Sequence, residues 1–227
     1  MHTNLVVVAH PDDEILGFGA TGYKLTQKGE KVQPLILCGN VEERSKRLEV
    51  NELYENIFNA SNYLGFSEPI IAGFPNLKIN NVDHISLVKV IEDVIVSLKP
   101  NRIFTHHPND LNDDHRQISR ACIVSSKTFL RQNINDHNFD VYFMEIQSST
   151  EWSQSLHEVP FTPNVYIDIT DCIDKKINAL KKYKNVMRDS PHPRSEKMMK
   201  ALAAYRGSQS GREFAESFEL LFSKTSW

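Results

Sequence analysis

The chain has 227 residues, 40% of them hydrophobic, and its 26 lysines and arginines nearly balance its 29 aspartates and glutamates. A formal net charge of -3 gives no sequence-wide basic field, which disfavours nucleic acid and anionic lipid as partners. The apolar runs are far shorter than the roughly 20 residues of a membrane-spanning helix, and no signal peptide is visible. These features predict a soluble, cytoplasmic globular protein with a sizeable core.

The cysteines are odd in number and widely spaced, and no CxxC pair occurs among Cys38, Cys122 and Cys172. This pattern predicts reduced thiols buried as small apolar residues, rather than a disulfide framework or a cysteine-zinc site.

Short apolar runs alternate with segments whose apolar residues recur at helical spacing. In chain order the pattern predicts a strand at 5–9, a helix at 15–28, a strand at 32–38, a helix at about 44–64, a strand at 69–72, a helix at 85–98, a strand at 102–105, a helix at 114–126, and strands at 141–146 and 165–169, followed by helices around 175–186 and 196–206. Such alternation predicts an α/β fold with a mostly parallel sheet and helices on both faces, the strand at 165–169 lying near a sheet edge.

No internal repeat and no Gly/Ser linker divides the chain. We therefore expect a single domain over 1–227, with a core at about 1–150 and a C-terminal elaboration at about 151–227. Ligands of open parallel sheets bind at the carboxyl ends of the strands, which directs attention to the loops that follow the strands.

The loop after the first strand reads His10-Pro11-Asp12-Asp13-Glu14. A histidine and an aspartate three residues apart on such a turn can converge on one cation, which leaves another carboxylate as a base. The alternative interpretation is structural: Pro11 starts a helix, and Asp12 or Asp13 caps it.

The loop at 105–115, after the fourth strand of the parallel core, gathers three histidines and three aspartates into eleven residues. A catalytic zinc site needs three protein ligands and an open position for water, and two strand-end loops of one sheet can supply them. His115, at a helix start, is the best candidate for a third ligand. The alternative is a surface loop with an aspartate cap.

At these two loops the chain resembles the zinc-dependent N-deacetylases of the PIG-L/LmbE type. The segment from Ala9 to Glu14 matches the family's Ala-His-Pro-Asp-Asp-Glu motif. The second motif, a His followed by Asp-x-Asn-x-Asp-His, is met by His107, Asp110, Asn112, Asp114 and His115. Weaker similarity extends over most of the chain and includes 73–75, Glu145 with 148–150, 191–195, and 206–207 leading to 215–218.

The resemblance implies a Rossmann-like fold, a C-terminal elaboration over the active site, and one zinc ion per chain held by His10, Asp13 and His115. It also implies that Asp12 is the catalytic base. Many members have a second histidine where this chain has Asn112, so the role of that histidine is open here. The nearby side chains that can replace it are His106, His107, Asp110 and His192.

Other candidates rest on weaker signals. Arg44 and Arg47 can meet a phosphate or hydroxyl of the substrate, or form a solvated helix face. Glu145 can organise the site or end a strand at the surface. His192 and Arg194 lie in a stiff polar segment expected to fold over the pocket, the alternative being an exposed loop.

Three glycines, Gly17, Gly19 and Gly22, match the dinucleotide fingerprint GxGxxG. They fall inside the predicted helix and not in the turn that precedes it, which argues against a dinucleotide site. We expect them to allow close helix packing instead.

The predicted reaction is hydrolysis of the N-acetyl group of an amino sugar of the N-acetylglucosamine type, free or conjugated. The choice of an amino sugar as substrate rests on the family resemblance. The alternatives are a metal-dependent sugar-binding module without turnover and a hydrolase of another small N-acyl amide. Phosphate-ester hydrolysis would call for two metals and more bridging carboxylates. The sequence leaves open which sugar is bound, what protonates the leaving amine, and whether the chain forms a homo-oligomer.

Overall fold

The structure is a computed structural model and describes residues 2–39, 49–130, 137–153 and 159–225. The strands are β1 (Thr3–Val8), β2 (Lys31–Ile36), β3 (Ile70–Ile71), β4 (Arg102–His106), β5 (Phe139–Met144), β6 (Val165–Asp168) and β7 (Ala215–Lys224). The α-helices are α1 (Asp13–Gln27), α2 (Val50–Tyr63), α3 (His84–Leu98), α4 (Asp113–Ser125), α5 (Ile173–Leu180) and α6 (Glu196–Ser208). Short 3₁₀ turns occur at Ile79–Asn81, Ser126–Leu130 and Thr150–Ser153.

The strands form one seven-stranded sheet in the order β3-β2-β1-β4-β5-β7-β6. Neighbouring strands from β3 to β5 are parallel, whereas β7 runs antiparallel to both β5 and β6. The mostly parallel sheet is confirmed, and so is the edge position of the strand at 165–169. Because β1 and β4 are neighbouring parallel strands, the loops that follow them lie side by side at the carboxyl end of the sheet.

Buried apolar residues cover both faces of the sheet. One cluster includes Phe18 of α1 and Phe218 of β7. The other includes Ile91 of α3 and Ile118 of α4. Helices on both faces are therefore confirmed. The sheet is packed between these two clusters, so the ends of its strands are held in fixed positions.

The glycines of α1 lie where the helix packs closely, as the sequence predicts. A Cβ atom on Gly22 would lie 2.4 Å from Cζ of Phe66, and one on Gly17 would lie 2.7 Å from Cδ1 of Ile146. Both distances are below normal van der Waals contact, so a larger side chain would force the helix away from its neighbours.

Two features of the C-terminal part differ from the prediction. The helix expected around 175–186 ends at Leu180, and the chain then continues in i→i−3 turns that carry Tyr183 into the interior. The strand β7 was missed, because the buried polar residues Glu216 and Ser217 hide its alternation of apolar and polar positions.

Several smaller predictions can also be compared. The described part of α2 begins at Val50, and the predicted residues before 49 lie outside the described ranges. All three cysteines are buried and outside disulfides, as expected. Within the described ranges, no helix is both long and apolar enough to span a membrane. The cytoplasmic location stays a prediction.

Candidate active site

Three buried side chains converge where β1 and β4 end. His10 follows β1, Asp13 begins α1, and His115 lies in the first turn of α4. The distance between His10 Nδ1 and His115 Nε2 is 3.1 Å, and Asp13 Oδ2 lies 3.2 Å from each of these nitrogens. We call His10, Asp13 and His115 the ligand triad, because one ligand atom from each meets the other two in a compact triangle.

A carboxylate stands behind each histidine of the ligand triad. Asp114 Oδ2 lies 2.9 Å from His10 Nε2, and Asp110 Oδ1 lies 3.2 Å from His115 Nδ1. Asp114 accepts the Nε2–H of His10 and so fixes its tautomer, while Asp110 lies within ion-pair distance of His115 Nδ1 and favours a proton on that nitrogen. The free lone pairs are then on His10 Nδ1 and His115 Nε2, the two nitrogens that face each other.

The two supporting carboxylates are themselves held by hydrogen bonds. Asp114 accepts the backbone N–H groups of Leu77 at 2.7 Å and Ile79 at 3.2 Å, in the segment between β3 and α3. Asp110 accepts the hydroxyl of Thr150 at 2.7 Å and also that of Ser149. The histidine orientations therefore depend on two loops distant in sequence.

The charges around the ligand triad favour a cation. Burial opposes a charge on His115, but Asp13 and Asp110 outweigh it and raise the pKa of His115 to about 10. Burial likewise opposes ionisation of Asp13, yet the two histidines hold the pKa of its carboxyl well below the usual range. Two lone pairs that face each other beside a carboxylate need a proton or a metal ion between them.

The triad fits a zinc ion by donor chemistry and by spacing. Two imidazole nitrogens and one carboxylate oxygen form a typical catalytic zinc set, which leaves a fourth position for water. Tetrahedral bonds of about 2.0–2.1 Å place the ligand atoms roughly 3.3 Å apart. The observed separations of 3.1 to 3.2 Å are close to this value.

Asp12 directly precedes Asp13 of the ligand triad and has an unusual backbone conformation. Its φ of 107° is in the left-handed region, which costs a non-glycine residue of order 1–3 kcal/mol. Its side chain makes no capping hydrogen bond to α1, so the structural alternative for Asp12 is not what the fold shows. Instead, its Oδ2 accepts a hydrogen bond of 3.0 Å from Arg194 Nη1.

Arg194 carries the C-terminal segment to the site. Its Nε donates to Ser148 Oγ at 2.7 Å while Nη1 contacts Asp12, so the guanidinium joins the loop after β5 to the loop after β1. Arg194 thus brings this segment into contact with Asp12, next to the ligand triad, while its role over an active site stays a prediction. His192 is exposed, and its Nδ1 accepts the backbone N–H of Arg194 at 3.0 Å.

Glu14, in the first turn of α1, holds the turn that contains Asp12. It is fully buried, accepts the Asp12 N–H at 3.0 Å, and accepts the Tyr183 hydroxyl at 2.5 Å. Burial and the nearby charge of Asp12 raise the pKa of Glu14 to about 8, although the hydrogen bond from Tyr183 works in the opposite direction.

The histidines of the second loop have different surroundings. His106 stacks on His115, with ring centroids 3.9 Å apart, and its Nε2 accepts the Ala9 N–H at 2.7 Å. Burial, followed by the charge of His115, lowers the pKa of His106 to about 3. His107 packs edge-on against Phe143 and Phe161.

Four further predicted residues remain, of which two have clear contacts and two lie outside the described part of the chain. Asn112 caps α4 by accepting the Asp114 N–H at 2.9 Å, so the cap of this helix is an asparagine and not an aspartate. Glu145 forms a two-pronged ion pair with Arg206 at 2.6 and 2.9 Å. Arg44 and Arg47 lie outside the described residues.

Sequence reasoning missed several residues that shape the site. Ser149, Thr150 and Tyr183 were not singled out individually, and Asp114 was identified only as part of a motif. The spacing of the second motif was the one available signal for Asp114. Nothing local in the sequence connects Thr150 with Asp110, because their contact spans 40 residues of chain.

Two curated proteins similar to the chain are named as deacetylases. The chain is 26% identical over 192 residues to the Escherichia coli "Uncharacterized deacetylase YaiS", a match that covers 80% of this chain and 90% of that protein. It is 23% identical over 189 residues to a "Probable N-acetyl-alpha-D-glucosaminyl L-malate deacetylase 2" from Bacillus cereus, covering 78% of this chain and 80% of the relative.

Solved structures share the fold at lower identity. The N,N'-diacetylchitobiose deacetylase of Pyrococcus horikoshii is 17% identical, with a TM-score of 0.74 over 96% of this chain and 83% of that one. The 4-carboxy-2-hydroxymuconate hydratase GalB of Pseudomonas putida is 18% identical, with a TM-score of 0.75 over 100% of this chain and 99% of that one. Because these two proteins catalyse different reactions, the likeness shows the fold alone.

The family model described as GlcNAc-PI de-N-acetylase, PIG-L, matches residues 5–125. This range is more than half of the chain and includes the ligand triad and Asp12. The resemblance predicted from the two motifs is thereby confirmed, and the chain belongs to the PIG-L family.

Proposed function

We propose that the chain is a zinc-dependent N-deacetylase that removes the acetyl group from an amino sugar of the N-acetylglucosamine type, free or conjugated. The observation that supports it most is the ligand triad, in which Asp110 and Asp114 direct two histidine lone pairs and Asp13 toward one point. His10, Asp13 and His115 would hold the ion. When bound, zinc polarises the acyl oxygen and lowers the pKa of water toward about 7.

Asp12 is the proposed base, and its position favours this role over a purely structural one. The carboxylate takes a proton from the attacking water while the water oxygen bonds to the acyl carbon. The carbon–nitrogen bond then breaks, and the proton passes to the leaving nitrogen, which yields acetate and a free amine. General acid–base catalysis of this kind contributes roughly 10² to 10⁴ in rate.

Arg194 would orient the base during these steps. Its Nη1 donates to Asp12 Oδ2 at 3.0 Å, and its Nε donates to Ser148 Oγ at 2.7 Å, which restrains the guanidinium beside the base. A base held by a restrained partner is already positioned before the substrate binds, which reduces the entropy cost of reaching the transition state.

The amino-sugar assignment is supported by the names of relatives and not by a described pocket. The Bacillus relative is named for an N-acetylglucosaminyl malate and the Pyrococcus neighbour for diacetylchitobiose. The alternative of a sugar-binding module without turnover is less well supported, because Asp12 bears a strained backbone that a passive pocket would not need.

The test is acetate release from N-acetylglucosamine, diacetylchitobiose and UDP-N-acetylglucosamine by zinc-loaded and metal-stripped protein. We expect zinc-dependent release that Asp12→Asn largely abolishes while retaining zinc, because an amide cannot accept the water proton. Asp113→Asn is the matched control, since Asp113 pairs with Arg116 on the solvent side of the second loop.

Each alternative has its own outcome. Sugar binding with no acetate from any compound would identify a binding module. Acetate from small N-acyl amides, with none from sugars, would retain the hydrolase and remove the sugar. Full activity of metal-stripped protein or of Asp12→Asn would refute the proposed mechanism.

A further inference from the structure

A second set of potential ligand atoms lies next to the ligand triad and includes His10. One ligand atom from each of Cys38, His10 and Asp114 lies within 4.8 Å of the other two. All three residues are buried, with exposed fractions of 0%, 3% and 3% respectively. We call these residues the Cys38 cluster. It shares His10 with the ligand triad, but its other two members are not proposed zinc ligands.

The backbone holds the thiol in this place. Cys38 follows β2, the neighbour of β1, and its N–H donates to the carbonyl of Ala9 at 2.8 Å, directly before His10. An isolated bridge also joins Cys38 to Gly73. The loop that continues from Gly73 donates to Asp114 through the Leu77 N–H. Two neighbouring segments therefore bring the thiol and the carboxylate close to His10.

The donor types of the Cys38 cluster select a particular class of metal. Thiolate sulfur favours soft or borderline ions such as Cd²⁺ and Zn²⁺ over Mg²⁺, Ca²⁺ and Mn²⁺, and imidazole and carboxylate complete a mixed set. We propose that Cys38, His10 and Asp114 form a second metal site, specific for thiophilic divalent ions, whose occupancy inhibits the enzyme. The inhibition, though not the binding, rests on the proposed function.

The inhibition follows from the shared histidine. In the arrangement described above, Asp114 holds the proton on His10 Nε2 and thereby directs Nδ1 toward the triad. A metal ion in the Cys38 cluster replaces that proton and the thiol proton, so both protons pass to solvent, and no electrons are exchanged. Asp114 then coordinates the metal ion and no longer orients His10. Loss of such an orienting partner typically costs 10–100-fold in metal affinity or activity.

The experiment adds CdCl₂ to protein that has been loaded with one equivalent of zinc. Bound zinc and cadmium per chain, sulfur-to-cadmium charge-transfer absorption in the ultraviolet, and acetate release are measured together. Wild type should keep its zinc, bind one cadmium with the absorption band, and lose activity by about 10–100-fold. Cys38→Ala and Cys38→Ser should bind no cadmium with a band and should keep their own starting activity when cadmium is added.

Cys122→Ala is the matched control, because Cys122 is another fully buried reduced thiol and lies in α4 outside the cluster. It should behave like wild type. A band that persists in Cys38→Ala, cadmium that displaces zinc without a band, or zinc-loaded wild type that binds no cadmium would each overturn the proposal. The absorption band reports on the thiol even if the protein releases no acetate, so failure of the proposed function is distinguished from failure of this site.

Discussion

Asp110 connects the ligand triad to the loop after β5, and replacing it tests how the fold prepares the metal site. Its carboxylate accepts from Thr150, Ser149 and the Asn112 N–H, and it faces His115 Nδ1 at 3.2 Å. Burial opposes ionisation of Asp110, but the contact with His115 and its charge, followed by the hydrogen bond from Ser149, lower the pKa of Asp110 to about 2, so the group is ionised at neutral pH. His115 therefore has a charged partner.

The magnitude depends on the substitution. Asp110→Asn keeps the volume and one acceptor but removes the charge, so we expect zinc affinity to fall about 10–100-fold, or about 1.4–2.7 kcal/mol. Asp110→Ala also leaves buried donors without an acceptor, and the free energy of unfolding should fall by about 3–5 kcal/mol, as when one partner of a buried pair is removed.

The assays are zinc competition against a chromophoric chelator and urea unfolding of the metal-free protein. Asp113→Asn is again the control, because its side chain is 42% exposed, and we expect a change within about 0.5 kcal/mol. Zinc affinity of Asp110→Asn within twofold of wild type would refute the reasoning that Asp110 orients His115.

Three further predictions concern the base, the core and the pH dependence. Arg194→Ala should retain zinc but lower kcat roughly 10–100-fold with little change in KM, because Asp12 loses its restraint, and Arg194→Lys should recover part of the loss. Gly22→Ala should lower the free energy of unfolding by about 1–3 kcal/mol in urea, because the new methyl group would collide with Phe66. Since burial raises the pKa of Glu14 from an ordinary 4.5 to about 8, its contribution to stability is fully present below about pH 4.5 and is lost as pH rises through 8. Glu14→Gln, neutral throughout, should gain on wild type between pH 5 and 8 in urea unfolding of metal-free protein.

Each of these has a control or a contrary result. Arg212→Ala removes an exposed arginine paired with Asp168 at 3.7 Å and should leave kcat unchanged. An equal loss of kcat in Arg194→Ala and Arg212→Ala would contradict the proposed orienting role of Arg194. Gly73→Ala adds a methyl group with no atom within 4 Å, so destabilisation equal to that of Gly22→Ala would contradict the packing argument. A constant difference between Glu14→Gln and wild type across that pH range would show that Glu14 titrates normally.

The parallel part of the sheet was predictable because its strands are short apolar runs buried on both faces. The strand β7 was not, because its buried polar residues depend on tertiary partners. Glu216 accepts the Ala20 and Thr21 N–H groups of α1 and pairs with Lys176 at 2.7 Å. Such contacts offset the free-energy cost of burying a carboxylate, and no local sequence pattern predicts them.

The proposed zinc ligands were predictable for a different reason. Strand-end loops of neighbouring parallel strands must meet, so a motif after β1 and another after β4 place His10 and His115 together. The hydrogen bonds that hold Asp110 and Asp114, the carboxylates beside these histidines, could not be predicted from the sequence. They come from Thr150 and from the Leu77 N–H, which approach only after the sheet has formed.

The most direct test of the central claim is the position of zinc in crystals of zinc-loaded protein, located by anomalous scattering at the zinc edge. The account predicts one strong peak per chain, about 2.0–2.1 Å from His10 Nδ1 and His115 Nε2 and about 2.0–2.2 Å from Asp13 Oδ2. Asp12 should lie beside the ion without binding it. A sole peak between Cys38 and Asp114, or crystals of zinc-treated protein with no peak at the ligand triad, would contradict the claim.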